Sequence, residues 1–450
     1  MKRTLLSLGL AAALLASFAC ERRDADTVTT GGENSGPIKV GVYGDLSGQT
    51  SSFGQSTKNG ITMAFDEINK AGGVNGRQLT MIFEDDQGQP AQAATVVTKL
   101  INQDRVHAVL GEVASTNTLA AAPVAQQAKI PMITPSSTNP KVTQVGDYVF
   151  RVCFTDDFQG AVAAKFAANT LKAKTAAILG DVNSDYSRGM SQFFEQEFTR
   201  GGGQIISRQS YTQTDQDFKG QLTAIRSAKP NVIFVPGYYG QVGVIAKQAK
   251  ELGINAPLLG GDGWDGPPLW ELGGDALNGA YMVNHYSTDD PSPSVQKFVA
   301  AYKARYNTNP DAIGALAYDA AYILADAIKR AGTTDGAKLR DAIAQTQNFA
   351  GVTGSISLNA QRDAVKPAVV FELQSRKFVY KETIQPGGGD AAATAPATGA
   401  SPAGATNATA SPATTTASPA TNTNTTTTAP ANTNTNTGAA NTNSTTNTNP

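Results

Sequence analysis

The chain is poor in the residues that catalysis and cross-linking draw on. It has two cysteines, Cys20 and Cys153, and two histidines, His107 and His285, in 450 residues. With Cys20 read as part of an N-terminal leader, Cys153 has no intrachain partner, so a disulfide framework is excluded and an inert buried thiol is expected. No C-x-x-C, no G-K-S/T loop and no G-x-S-x-G turn is present, which removes the common zinc, phosphate-binding and nucleophile-elbow patterns. A formal net charge of -1 with both signs interspersed leaves no polyanion footprint, and nucleic acid is not an expected partner. Beyond the leader, no apolar run is long enough to cross a bilayer.

Composition divides what is there. Residues 1–19 carry a basic start at Lys2 and Arg3, an apolar run from Leu5 to Ala16, and small residues at Ser17 and Ala19: a signal peptide. Cys20 follows at once, where a lipoprotein carries its lipid, and residues 20–36 are a polar tether. At the other end, residues 387–450 hold no Lys, Arg or aromatic side chain, and Asp390 is their only charge. Such a segment buries too little apolar surface to offset the entropy of ordering, and is expected to be a disordered Thr/Asn/Ala/Pro-rich tail.

Between these ends, short β-rich runs alternate with amphipathic segments. Strands are expected at Ile38–Tyr43, Leu79–Glu84, Val106–Leu110 and Met132–Thr134, with helices at Thr57–Lys70, Ala91–Asn102 and Thr116–Ala128 between them. The rhythm restarts near Asp156 and continues through strands at Thr175–Leu179, Gln204–Ser210, Val232–Val235 and Pro257–Leu259. Alternation of this kind predicts an α/β fold with two doubly wound, mostly parallel lobes.

Catalytic readings fail on context. Gly261-Asp262-Gly263-Trp264-Asp265-Gly266 matches G-x-G-x-x-G literally, but Pro267-Pro268 follow and the match comes late in its lobe, which argues against a dinucleotide site. Asp85-Asp86-Gln87-Gly88 lacks the spaced acidic ligands of a calcium loop and reads as a solvated strand end. Each histidine falls in or at the end of a strand and reads as structural. No enzyme, cofactor or metal is called for.

Recognition chemistry remains. Ser115 stands where it can cap the helix Thr116–Ala128 and place an anion near its free N–H groups. Ser136 and Thr138, after the strand Met132–Thr134, add hydroxyl and backbone donors. On the second lobe Asp262 can meet an ammonium, and Tyr238 a ring face or hydroxyl. Hydroxyls on one lobe facing a carboxylate on the other suit a zwitterion such as an amino acid, whose charges are costly to desolvate without partners.

The motifs Ile38–Gly48 (IKVGVYGDLSG), the INKAGGVNG run within Gly60–Gly76, Gly111–Thr118 (GEVASTNT), Thr134–Pro140 (TPSSTNP), Gly180–Gly189 (GDVNSDYSRG), Pro236–Tyr239 (PGYY) and Gly260–Gly263 (GGDG) span nearly the whole folded region. In them the chain resembles the periplasmic amino acid binding proteins of ABC transporters, of the leucine/isoleucine/valine type. The resemblance implies a type I periplasmic binding protein fold: two lobes joined by a three-segment hinge, with the ligand in the interlobe cleft. It places lobe 1 at 37–155 and 287–360, and lobe 2 at 156–286 and 361–386. Ser115, Ser136 and Thr138 then correspond to carboxylate-binding positions, Tyr238 and Asp262 to the ammonium pair, and Phe53 and Tyr186 to aromatic walls of the side-chain pocket. Asp262 replaces the Glu of leucine-type members, which sets the carboxylate back by one methylene, about 1.5 Å. Gly88 and Ala114 stand where some members carry a disulfide. The resemblance further implies delivery of the solute to an ABC permease, action as a monomer, and a location in the periplasm or at the cell surface, held to a bacterial membrane through Cys20. Related domains act as sensors, so presentation of an amino acid, amide or urea to a receptor or sensor kinase is the alternative.

Overall fold

The computed structural model describes residues 36–386. The expected signal peptide, Cys20 with nearly all of the expected tether, and residues 387–450, expected to be a disordered tail, lie outside the described residues. The first layer is built from β1 (Ile38–Gly44), α1 (Ser51–Lys70), β2 (Leu79–Asp85), α2 (Pro90–Asn102), β3 (Ala108–Leu110), α3 (Ser115–Ala128), β4 (Met132–Thr134), α4 (Lys141–Gln144) and β5 (Val149–Arg151). Its five strands pair in parallel in the order β2-β1-β3-β4-β5.

The second layer opens with α5 (Asp156–Asn169), β6 (Thr175–Asp181), α6 (Asp185–Arg200), β7 (Gln204–Tyr211), α7 (Lys219–Ala228), β8 (Val232–Phe234), α8 (Tyr239–Glu251), β9 (Leu258–Gly260), α9 (Pro268–Gly273) and β10 (Ala280–Asn284). The chain then supplies α10 (Pro293–Tyr306), α11 (Ala312–Ala331), α12 (Gly336–Ala344), β11 (Phe349–Gly351), β12 (Gly354–Leu358), β13 (Ala364–Val365), β14 (Ala368–Gln374) and β15 (Lys377–Ile384). Strands β14 and β15 join the second sheet, whose order is β15-β14-β10-β9-β8-β6-β7, while β11, β12 and β13 form a small antiparallel sheet. Helix α11 packs on α1 and closes the first lobe's core around Val40, Val42, Leu110, Ile133, Leu316 and Leu324. Each such fully buried aliphatic side chain contributes about 1.5–3 kcal/mol relative to exposure.

The main sequence expectations hold in order and type. Six elements are additional: α4, β5, α9, β11 and β13 are short, and β15 returns from β14 through a turn in which Ser375 and Arg376 both have positive φ. Helix α1 begins at Ser51, six residues before the expected Thr57. Three connections run between the two lobes: 152–155, 285–292 and 366–367, the last joining β13 of the small sheet to β14 of the second sheet. Because parallel strands of both lobes end on the cleft side, the loops after β1, β3, β4, β6, β8 and β9 meet there.

Candidate functional site

Five loops bring the expected residues together. Phe53 lies in the first turn of α1, Ser136 and Thr138 follow β4, Tyr186 opens α6, Tyr238 precedes α8, and Asp262 follows β9 in a 3₁₀ turn over Asp262–Trp264. These six side chains line one small cavity with Val113, Gly263 and Ile313. Close backbone approach explains a glycine here: a Cβ on Gly263 would stand 2.7 Å from the Gly237 carbonyl oxygen. The G-x-G-x-x-G match thus forms a tight turn against the Tyr238 loop and opens no long helix.

Ser115 requires a correction. It is the first residue of α3; Ala114 occupies the cap position and no side chain caps the helix. The Ser115 hydroxyl instead accepts from the Asn139 N–H at 3.2 Å, joining the two hydroxyl-bearing loops, and Ser115 does not line the cavity. Ser137 is similarly committed, donating toward the Glu112 and Val113 carbonyls at 2.8 and 3.0 Å. Ser136 Oγ is different: it is buried and lacks a hydrogen-bond partner in the protein.

On the opposite wall, Asp262 Oδ1 is also buried and unpartnered, whereas Oδ2 lies 2.9 Å from His285 Nε2. Tyr186 and Tyr238 stack at 5.4 Å between ring centroids, with planes 13° apart, and Phe53 meets Tyr238 edge-on at 6.0 Å. The Tyr186 hydroxyl accepts from the Gly263 N–H at 3.3 Å. Burial, with Asp262 and Asp156 nearby, raises the Tyr186 pKa well above its ordinary value, so its hydroxyl stays neutral.

Sequence reasoning missed three further residues. Asp156 and Gln159, in the first turn of α5, are fully buried, and neither oxygen of the carboxyl nor either polar atom of the amide finds a partner. An acidic residue starting a helix reads as a surface dipole pairing, which hides Asp156. Its signal is the spacing to Gln159, which puts both on one helix face. Burial raises the Asp156 pKa well above the carboxylate range, and Asp262 adds to the shift. His285, expected to be structural, contacts the cavity carboxylate itself.

The hydroxyl wall carries a further electrostatic feature. Glu112 is buried, and its Oε2 accepts from the Ala114 N–H at 2.5 Å. Burial and the neighbouring Asp86 raise its pKa well above the usual range, so it adds no negative charge beside the hydroxyls. Asp86 is likewise fully buried, correcting the expectation of a solvated strand end. Cys153 is a buried free thiol, pushed by burial up to about 12, and its inertness follows.

Among the hydrogen bonds that connect the walls are Asn139 Nδ2 to the Asp185 carbonyl (2.8 Å), Asp185 N–H to Thr116 Oγ1 (2.9 Å), Ser52 N–H to the Tyr239 hydroxyl (3.2 Å), Gln241 Nε2 to Gln49 Oε1 (2.9 Å), Ala312 N–H to Asp265 Oδ2 (2.8 Å) and Asp156 N–H to the Thr138 carbonyl (2.9 Å). Two α/β lobes, three connections and a polar-ended cavity between facing loops define a cleft-binding protein. The sequence model of the periplasmic binding protein family matches residues 37–377, and the chain belongs to that family. It is 32% identical over 362 residues to a leucine-, isoleucine-, valine-, threonine- and alanine-binding protein of Pseudomonas aeruginosa, covering 80% of this chain and 92% of the relative. Among solved structures it resembles a leucine binding protein, LivK, of Thermotoga maritima, at 40% identity and a TM-score of 0.75 over 78% of this chain and 99% of that one. The branched-chain amino acid transporter substrate binding protein LivJ of Streptococcus pneumoniae, in complex with isoleucine, is similar at 34% identity and a TM-score of 0.74 over 78% and 100%.

Proposed function

We propose that this chain is an extracytoplasmic solute-binding protein that captures an amino acid, branched-chain or similar, and delivers it to an ABC permease by hinge closure. One observation carries the reading: across a small cavity, a buried hydroxyl on one lobe (Ser136 Oγ) faces a buried carboxylate oxygen on the other (Asp262 Oδ1), and neither has a protein partner. Buried polar groups left in this way cost about 1–3 kcal/mol each, a penalty that a ligand with complementary groups removes.

In this reading Ser136 and Thr138 take the ligand carboxylate, with Ser115 holding their loop. Asp262 takes the ammonium, Tyr238 and Tyr186 flank it, and Asp156 and Gln159 stand behind it. Phe53, Val113 and Ile313 surround an aliphatic side chain. A ligand that touches both walls stabilises the closed arrangement over an open one by its contacts with the second wall. The similarity to relatives named for leucine, isoleucine, valine, threonine and alanine supports this ligand class. The chain is assigned no chemical step, no cofactor and a monomeric state. Cys20 is proposed as the lipid attachment in the periplasm or at the cell surface; mass spectrometry of the mature N-terminus tests this, and an unmodified Cys20 refutes it.

Calorimetry of the protein against amino acids, amides and urea tests the main reading. Binding of leucine, isoleucine, valine, threonine or alanine is expected. If all of these fail while an amide or urea binds, the zwitterion clasp is wrong.

A further inference from the structure

His285 lies where the chain leaves β10 for the first lobe, and its side chain is fully buried. One constraint holds the ring and a chain of hydrogen bonds holds its backbone. Phe154 stacks on it with centroids 3.8 Å apart and planes 24° apart. The backbone N–H of His285 donates to Asn284 Oδ1 at 2.8 Å, and Asn284 Nδ2 donates to Asp265 Oδ2 at 2.9 Å. Asp265 Oδ2 also accepts from Ala312 N–H, at the start of α11 in the opposite lobe. The imidazole therefore cannot turn without disturbing the aromatic stack, and the backbone that carries it is tied to a link between the lobes.

Only one atom of the ring reaches a partner: Nε2, 2.9 Å from Asp262 Oδ2, while Nδ1 is buried without one. A carboxylate oxygen accepts, so Nε2 carries the proton. Burial lowers the His285 pKa from its ordinary value, although Asp262 opposes the shift. The imidazole is therefore a neutral donor. That distinction matters because a cationic donor at this place would neutralise Asp262, whereas a neutral one orients the carboxylate and leaves its charge in place.

We propose that His285 is a positioning residue for ammonium recognition: it pins Asp262 Oδ2 so that Oδ1 is aimed into the cavity with the full carboxylate charge. This rests on the amino acid reading of the cleft. It adds to that reading the residue that makes the site select α-amino acids over the corresponding simple carboxylic acids. A fixed, charged acceptor gains from an ammonium and gains nothing from a C–H group at the same place.

The test is calorimetry with L-leucine, L-valine and L-alanine and with their counterparts lacking the ammonium: 4-methylpentanoate, 3-methylbutanoate and propanoate. His285→Leu keeps bulk and removes the donor; His285→Gln keeps a neutral donor. His285→Leu should weaken amino acid binding by about ten- to a hundredfold and change des-amino acid binding by less than about threefold, and His285→Gln should recover most of the loss. An equal loss for both ligand series, or no loss for the amino acids, overturns the proposal and leaves His285 a packing residue. Wild-type protein blind to every amino acid refutes the functional reading itself, and this proposal with it. Nitrogen NMR of the imidazoles of the wild-type protein needs no variant to fold, and two histidines make assignment simple. The expected spectrum has a protonated Nε2 on His285 that shifts when leucine binds and stays put with 4-methylpentanoate. A proton on Nδ1 instead overturns the assignment.

Discussion

Arg151, fully buried at the end of β5, donates from Nε to Asp363 Oδ1 at 2.5 Å, and so joins the first connection between the lobes to the segment leading into the third. The same guanidinium donates to the carbonyls of Ser137 at 2.6 Å and Asn139 at 2.8 Å. In a trans peptide the C=O and the following N–H point to opposite sides. Holding the Ser137 carbonyl against Arg151 thus turns the Thr138 N–H away from the guanidinium. The ligand loop and the hinge share one anchor.

Replacing Arg151 by Met removes the cationic partner of Asp363, which keeps only the Thr143 hydroxyl, and takes the guanidinium donor from the Ser137 carbonyl. Breaking a buried pair from one side costs about 3–5 kcal/mol, and that fall in unfolding free energy is expected in urea denaturation. Arg151→Lys should recover part of the stability and less of the affinity, since a single ammonium cannot reproduce the fork. An unchanged urea midpoint in the Met variant would show that the anchor carries no such energy.

Asp262→Asn keeps the shape of the side chain and removes the charge that the ammonium is proposed to meet. Amino acid affinity should fall by about a hundredfold or more, with the ligand-free melting temperature changed by only a few degrees. Calorimetry beside a thermal melt separates the two quantities. Full affinity in this variant removes Asp262 from the site.

The alternation of Ile38–Tyr43, Leu79–Glu84 and later apolar runs with amphipathic segments is enough to read two α/β lobes, because each run obeys one period. What the pattern does not carry is short or unusually turned. Strand β5 has three residues, too few to show a period, and the β14–β15 hairpin turns through Ser375-Arg376 with no Gly or Asn to mark two positive φ values. The start of α1 hides for another reason. Ser51–Ser56 is mostly polar, with Phe53 its one apolar side chain and so no helical period, and it is helical where Asp45 accepts from the Thr50 N–H and Oγ1 just before it, at 2.8 and 2.7 Å. The hydroxyls and Asp262 were readable as strand-end polar residues. Asp156, Gln159 and His285 were not, since the meaning of the first two lies in burial without a partner and that of His285 in burial against Asp262, 23 residues away.

Phe53 belongs to the first lobe but packs on Tyr238 and Tyr239 of the second, the latter edge-on at 4.8 Å. In an open arrangement that contact is lost, so its energy stabilises closure more than folding. Phe53→Ala should weaken binding of leucine by about tenfold or more and leave the ligand-free unfolding midpoint nearly unchanged. A large drop in ligand-free stability with intact affinity would instead assign Phe53 to the core of its own lobe.

Asp86 gives a pH dependence of defined sign. Burial pushes its pKa up to about 7, the Gly88 N–H opposing and Asp45 and Asp85 adding to the rise. The unfolded value is about 3.9. Between these values the folded state binds more protons than the unfolded one, so the stability this group supplies is whole below about pH 4 and lost as pH rises through about 7. Asp86→Asn removes the titration and keeps an oxygen for the Gly88 N–H, which Asp86 Oδ1 accepts at 3.0 Å. The variant should match wild type near pH 4 and exceed it at about pH 8, by an amount on the order of a few kcal/mol in urea titrations. A variant no more stable than wild type at about pH 8 would mean that the ionised carboxylate is well accommodated beside Glu112, and that the neutral state assigned to this wall is wrong.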